Sequence, residues 1–282
     1  VIGVFDSGVG GLTVLKALRR EMPGQDFLYL GDTARVPYGR KPPEMVRGFA
    51  LEIAGFLQSR GAKAIVVACN TASAVALDDL RRAYDLPIQG VIEPGVEAAV
   101  RATRSGNVGV IGTRGTIASG AYRRSLEARG MRVWAQACPL FVHLVEEGLA
   151  DSPEAELLAR HYLAGRPEGP DAIDTLIAGC THYPLLADVL GRVLGPGVTL
   201  VESASVAARS VRETMGPGGS RTGRITHFVT GDPAAYEHTA AVIGGVDGEI
   251  VALSLSELRE AVSQMQSRAP DLRYSGTLTH DA

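Results

Sequence analysis

Of the three cysteines in this 282-residue chain, Cys69 and Cys180 stand in matching surroundings. Cys69 follows the apolar run 64–68 and precedes Asn70-Thr71-Ala72-Ser73, whose polar side chains suit a helix start. Cys180 follows Leu176-Ile177-Ala178-Gly179 and precedes Thr181-His182-Tyr183-Pro184. Each sulfur is therefore expected at the C-terminal edge of a strand, where open α/β sheets bind ligands. There the free N–H groups of the next helix should draw a thiol from about 8.5 towards neutrality. Cys138, in Ala137-Cys138-Pro139-Leu140, leads into an apolar helix and reads as structural.

Two thiols facing one another across a pocket, without metal-ligand spacing, suit the inversion of a stereocentre. A carbon-bound proton beside a carboxylate is weakly acidic, and a single base returns it to the face it left. Two opposed groups avoid this, one removing a proton as thiolate and the other delivering one as thiol, with roles exchanged in the reverse direction. Sulfur serves both roles because its pKa can be set near the working pH.

The elements that must hold these residues are legible as strands at 2–5, 27–30, 64–68, 88–92, 108–111, 133–135, 175–178, 199–201 and 227–230, alternating with longer amphipathic stretches. That rhythm predicts an α/β fold with mostly parallel sheets. Residues 43–60 place Met45, Phe49, Ile53, Phe56 and Leu57 on one helical face, and Gly61 follows as a left-handed cap. Two pairs of segments resemble each other. Ile2-Gly3-Val4-Phe5-Asp6-Ser7-Gly8-Val9-Gly10-Gly11-Leu12-Thr13 parallels Val108-Gly109-Val110-Ile111-Gly112-Thr113-Arg114-Gly115-Thr116, and Val66-Val67-Ala68-Cys69-Asn70-Thr71 parallels Ile177-Ala178-Gly179-Cys180-Thr181-His182. An internal duplication follows: two similar three-layer α/β domains with a site in the cleft between them. Pro94 marks the first boundary. The expected division is 1–93 plus 204–262 for the first domain, 94–203 for the second, and 263–282 as a polar C-terminal tail.

Composition narrows the function. A net charge of -3 and no Lys/Arg-rich run argue against nucleic acid as a partner. No apolar stretch approaches the roughly 20 residues of a membrane span, and the opening Val1-Ile2-Gly3-Val4-Phe5 is too short for a signal peptide, so a cytoplasmic protein is expected. A homodimer would be ordinary for a soluble enzyme. Three widely separated cysteines offer neither a disulfide framework nor a C-x-x-C pair. Two rivals remain open. Gly8-x-Gly10 after a strand imitates a dinucleotide fingerprint, but Thr13 occupies the third glycine's place. A binding module using Cys69, Cys180 and His182 for zinc or phosphate is the other. No cofactor is expected: the only lysines, Lys16, Lys41 and Lys63, lie in no recognisable pyridoxal context.

Four segments in order, Phe5-Asp6-Ser7-Gly8-Val9-Gly10-Gly11-Leu12-Thr13, Gly31-Asp32-Thr33-Ala34-Arg35-Val36-Pro37-Tyr38-Gly39, Ala68-Cys69-Asn70-Thr71-Ala72 and Gly179-Cys180-Thr181-His182-Tyr183-Pro184, resemble the signature segments of the glutamate racemase family, within the aspartate/glutamate racemase superfamily. The resemblance spans roughly residues 1 to 245. It implies interconversion of L- and D-glutamate, supply of D-glutamate for peptidoglycan, and a substrate enclosed by two α/β domains. It makes Cys69 and Cys180 the proton carriers, Cys69 for D-glutamate and Cys180 for L-glutamate, with Asp6 near the first and His182 and Glu146 near the second. Substrate contacts are expected from Asp6, Ser7, Tyr38, Gly39, Asn70, Thr71, Thr113, Thr116, Thr181 and His182, since hydroxyls, amides and helix-start N–H groups suit two carboxylates. A two-cysteine racemase or isomerase for aspartate or a hydantoin is the related alternative. One departure stands out: His143 occupies a position where the family pattern has proline, three residues before Glu146.

Overall fold

The computed structural model describes residues 1–219 and 222–268. Among them run the strands β1 (Ile2–Asp6), β2 (Phe27–Gly31), β3 (Ala64–Val67), β4 (Ile88–Gly90), β5 (Asn107–Gly112), β6 (Arg132–Ala137), β7 (Thr175–Gly179), β8 (Thr199–Glu202), β9 (Ile225–Val229) and β10 (Glu249–Ala252). They form two wholly parallel sheets, ordered β10-β9-β2-β1-β3-β4 and β6-β5-β7-β8. The order β2-β1-β3-β4 in one sheet repeats as β6-β5-β7-β8 in the other, so the duplication seen in the motifs is also a duplication of topology. β1, β5 and β7 are buried at every position, which is why their sequences are continuous apolar runs rather than alternating ones.

The helices are α1 (Leu12–Glu21), α2 (Pro43–Ser59), α3 (Asn70–Ala83), α4 (Ile92–Ala102), α5 (Arg114–Ala118), α6 (Ala121–Glu127), α7 (Leu140–Glu146), α8 (Pro153–Leu163), α9 (Ala187–Leu194), α10 (Ser203–Met215), α11 (Pro233–Val242) and α12 (Leu255–Arg268). α1, α10 and α11 cover one face of the first sheet, and α2, α3 and α12 the other. α4 and α6 cover one face of the second sheet, with α7, α8 and α9 opposite. Helices on both faces exclude water from the backbone of every central strand. Only the strand ends are left available for chemistry.

All nine expected strands are present. The tenth, β10, was not expected: its four residues are exposed or half-buried and pair only with β9 at the sheet edge, so they carry little apolar signal. The strand expected over 88–92 stops at Gly90, because Ile92 already begins α4. Pro94 sits inside that helix's first turn, where its missing N–H costs nothing. In α2, Ile53, Phe56 and Leu57 face the core as expected, but Met45 is 46% exposed and Val46 takes its place. Gly61 ends that helix at φ +95, a conformation a side chain would strain. Of the expected tail, residues up to 268 continue α12, and 269–282 lie outside the described residues.

Beneath the loop after β2 lies a buried ionic cluster. Arg35 donates from Nε to Asp32 Oδ2 at 2.7 Å and from Nη1 to Glu52 Oε2 at 2.5 Å, while Thr230 donates to Asp32 Oδ1 at 2.8 Å. Tyr38 also donates its hydroxyl to Asp32. Removing the cation would leave Asp32 only its neutral donors, Thr230 and Tyr38, and leave Glu52 the 3.6 Å contact with the half-exposed Arg259. Arg35→Met is therefore expected to cost about 3–5 kcal/mol, measured by urea unfolding. A loss under about 1 kcal/mol would show that the cluster does not hold this loop.

Candidate active site

In each sheet the chain leaves the central strand for one neighbour and returns on the other side, so a crevice opens between the C-terminal ends of β1 and β3 and between those of β5 and β7. Asp6 is the last residue of β1, and Cys69 follows two residues after β3. Thr113 follows β5, and Cys180 follows β7 directly. The duplication therefore delivers a cysteine to the same edge of each sheet.

Asp6 is fully enclosed. Its Oδ2 accepts the N–H groups of Gly8 at 3.1 Å and Gly11 at 3.0 Å, and its Oδ1 is buried with no partner. Burial raises its pKa, against the opposing pull of the His182 charge and of the Gly11 and Gly8 N–H groups. Side chains are excluded from this turn by contact. A β-carbon at Gly11 would lie 2.4 Å from Asp6 Cβ, and one at Gly10 would lie 2.3 Å from Thr181 Oγ1 and 2.4 Å from His182 Cε1. The turn of the first sheet thus seats directly on the Cys180 corner of the second, and Thr13 Oγ1 ties the two by donating to the Thr181 carbonyl at 2.9 Å.

Cys69 is the N-cap of α3, with its sulfur accepting the Ala72 N–H at 3.5 Å and lying 4.0 Å from Ser7 Oγ. The expected depression of its pKa does not occur. Burial pushes the thiol up to about 12 and the Asp6 carboxyl adds to this, so desolvation outweighs the helix N–H. The next residue, Asn70, is buried. Its Oδ1 accepts the Tyr122 hydroxyl at 2.7 Å, and its Nδ2 has no partner.

The Cys180 side is different. A tight turn, closed by the Tyr183 N–H to the Cys180 carbonyl at 3.1 Å, brings Cys180 Sγ to 3.8 Å from His182 Nδ1. The far ring nitrogen, Nε2, meets Glu146 Oε1 at 2.9 Å, so Glu146 and His182 form a relay aimed at the sulfur. Burial disfavours charge on His182, but hydrogen bonds and charge from Cys180 and Glu146 outweigh it and lift its pKa to about 10. That rise favours the charged ring, whose Nδ1 faces both Cys180 Sγ and Thr181 Oγ1. The two sulfurs lie near enough for the charge of Cys180 to act on Cys69.

Between the sheets, Thr71 Oγ1 lies 2.9 Å from Thr113 Oγ1 and 3.2 Å from Thr116 Oγ1, which joins the start of α3 to the start of α5. Thr181 Oγ1 is 3.4 Å from His182 Nδ1. Tyr38 turns its side chain away into the Asp32 cluster, which leaves only its backbone for a ligand, and Gly39 packs against Thr113. A cavity of ≈ 130 Å³ opens beside this constellation, lined by Ser7, Gly8, Gly39, Thr113, Glu146 and His182. His143, exposed, lines it too, as do Arg40 and Arg114. A larger groove of ≈ 1280 Å³ along α3, α4 and α6 is lined by none of the residues expected at the site.

Sequence reasoning missed Tyr122, Arg40 and Arg114. Tyr122 sits on α6 among core residues and carries no local motif, and the two arginines are single exposed cations. Among the described residues no three of His, Cys, Asp or Glu are grouped so as to hold a metal ion.

The profile of the Asp/Glu/Hydantoin racemase family matches residues 2–211. The chain is 55% identical to a glutamate racemase of Thermus thermophilus, covering 91% of this chain and 97% of that one. It is 49% identical to one of Geobacter metallireducens, covering 92% and 98%. The crystal structure of glutamate racemase from Thermus thermophilus in complex with β-chloro-D-alanine superposes with a TM-score of 0.83 at 54% identity, covering 91% and 97%.

Two outcomes follow from this geometry. Gly10→Ala forces Thr181 and His182 to move, so activity should fall on the order of 100-fold while the circular dichroism spectrum is retained; a fully active variant would show the contact to be dispensable. His182 has a folded pKa raised above its unfolded value near 6.5, so its stabilising contribution is complete below about pH 6.5 and is lost as pH rises through about 10. Denaturation measured from pH 6 to 10 should show stability falling in the wild type and a flatter profile in His182→Asn. Identical profiles would mean that the imidazolium is absent.

Proposed function

We propose, from the premise that the chain belongs to the Asp/Glu/Hydantoin racemase family, that Cys69 and Cys180 carry protons to and from opposite faces of bound glutamate. The reaction is the cofactor-independent interconversion of L- and D-glutamate, and the D-glutamate formed supplies peptidoglycan in the cytoplasm. The observation that carries this reading is the pairing of each thiol with its own acid–base partner on its own sheet: Asp6 beside Cys69, and the His182–Glu146 relay behind Cys180.

Starting from L-glutamate, Cys180 acts as thiolate, with the His182 ring 3.8 Å from its sulfur, and takes the α-proton. The electron pair left on the α-carbon is delocalised into the α-carboxylate. Cys69, kept as a thiol by burial, then delivers its proton to the other face. From D-glutamate the steps reverse. For that direction Asp6, whose carboxyl is itself raised by burial and has one oxygen free, receives the Cys69 proton, and the His182 imidazolium gives one to Cys180, which then delivers it to the substrate. The two substrate carboxylates are held by the free Nδ2 of Asn70, the hydroxyls of Ser7, Thr71, Thr113, Thr116 and Thr181, and backbone N–H groups of the Tyr38-Gly39 turn and the start of α3. Packing of the Gly10 turn against Thr181 and His182 keeps water from quenching the carbanion.

L-Glutamate incubated in deuterium oxide should lose optical rotation while deuterium enters the D-product, with full rate in the presence of chelator. Cys69→Ser or Cys180→Ser should slow inversion by at least about 1,000-fold. Retained inversion in the double-serine protein, or turnover of aspartate in preference to glutamate, would overturn the reading.

A further inference from the structure

Asn70 presents an asymmetry that the proton chemistry leaves unexplained. Its amide is buried, its Oδ1 is occupied by the Tyr122 hydroxyl at 2.7 Å, and its Nδ2 donates to nothing. An unpaired buried N–H₂ is costly unless it faces a ligand. Asn70 also begins α3 immediately after Cys69, beside the threonine hydroxyls of the cleft. An amide can turn over and exchange its oxygen for its nitrogen. Turned the wrong way, it would offer an oxygen to a carboxylate and repel it.

Tyr122 opposes that turn. It comes from α6 of the second sheet's unit, whereas Asn70 belongs to the first, so the hydrogen bond spans the cleft. Its ring is buried and lies against the backbone at Gly179 and Gly95, where an added β-carbon would come within 3.1 Å of Cε2 and 3.5 Å of the hydroxyl oxygen. The phenol directs its proton at Asn70 Oδ1.

We infer that Tyr122 is a positioning residue, which fixes the Asn70 amide so that both N–H bonds face the carboxylate of a glutamate bound between the sheets. The inference rests on the reading of the site as a glutamate racemase. Because donor and acceptor lie on different units, the amide is set for substrate only when the cleft is assembled. Binding, rather than proton transfer, is what this contact controls.

Tyr122→Phe keeps the ring and its packing and removes only the hydroxyl. KM for both enantiomers should rise about 5- to 20-fold, with kcat within about 2-fold of the wild type. In an Asn70→Ala background the same change should add almost nothing, since the group it positions is gone. A KM unchanged by Tyr122→Phe, or an effect equally large with and without Asn70, would overturn the inference. If Tyr122→Phe does not fold, Asn70→Asp serves instead: the carboxylate still accepts from Tyr122 but has no N–H to give, so KM should rise at least as much, and a normal KM would refute the role. Wild-type inversion is measured alongside, and its absence would sink the racemase reading itself rather than the role of Tyr122.

Discussion

The seat of the Gly8–Gly11 turn on the Thr181–His182 corner is the constraint on which the rest of the site depends. Two sheets with the same strand order each end in a cysteine, but matching topology alone does not bring two sulfurs to one ligand. The backbone of one edge must touch the other, and Gly10 permits this because any β-carbon there would occupy the space of Thr181 and His182. The Thr13 bond to the Thr181 carbonyl and the threonine contacts between α3 and α5 then fix the remaining freedom. Tyr122 adds a bond of the same kind from the opposite side of the cleft.

Within this frame the two thiols are not equivalent, although the sequence presents them as a matched pair. Both are buried, yet Cys180 faces an imidazolium backed by a carboxylate, whereas Cys69 faces a carboxyl group and the end of a helix. Burial disfavours any thiolate, and at Cys69 the Ala72 N–H and the Ser7 hydroxyl do not offset it. The surroundings of the two sulfurs therefore differ in charge: a histidine–glutamate pair on the Cys180 side, and a buried carboxyl on the Cys69 side. Asp6, with its own pKa raised and one oxygen without a partner, is the carboxyl on the Cys69 side.

The sequence was most informative where chemistry and backbone coincide. A strand end followed by polar helix starters located Cys69 and Asn70, and the Cys180-Thr181-His182 run located the second corner, because these signals are contiguous. Repeated segments pointed to the duplicated sheets, and the observed strand orders match. What stayed hidden depends on three-dimensional neighbours. The rise of Cys69 follows from enclosure, which no local motif encodes. Tyr122 reads as one more core aromatic until its hydroxyl is found on Asn70. Tyr38 lies in a motif that reads as ligand-binding, yet its side chain belongs to a buried ionic cluster assembled from α2 and the loops after β2 and β9. Strand β10 escaped notice because an edge strand of four half-exposed residues buries too little to leave a pattern.

The central claim is that each sulfur serves one face of the substrate and no other. Exchange of the α-hydrogen for deuterium without inversion, followed by NMR in variants retaining a single active-site thiol, reads this directly. With Cys69 replaced by alanine, Cys180 should exchange the α-hydrogen of L-glutamate and leave D-glutamate untouched, and with Cys180 replaced the preference should reverse. A variant that exchanges both enantiomers, or exchanges the opposite one, would contradict the assignment of the thiols to opposite faces.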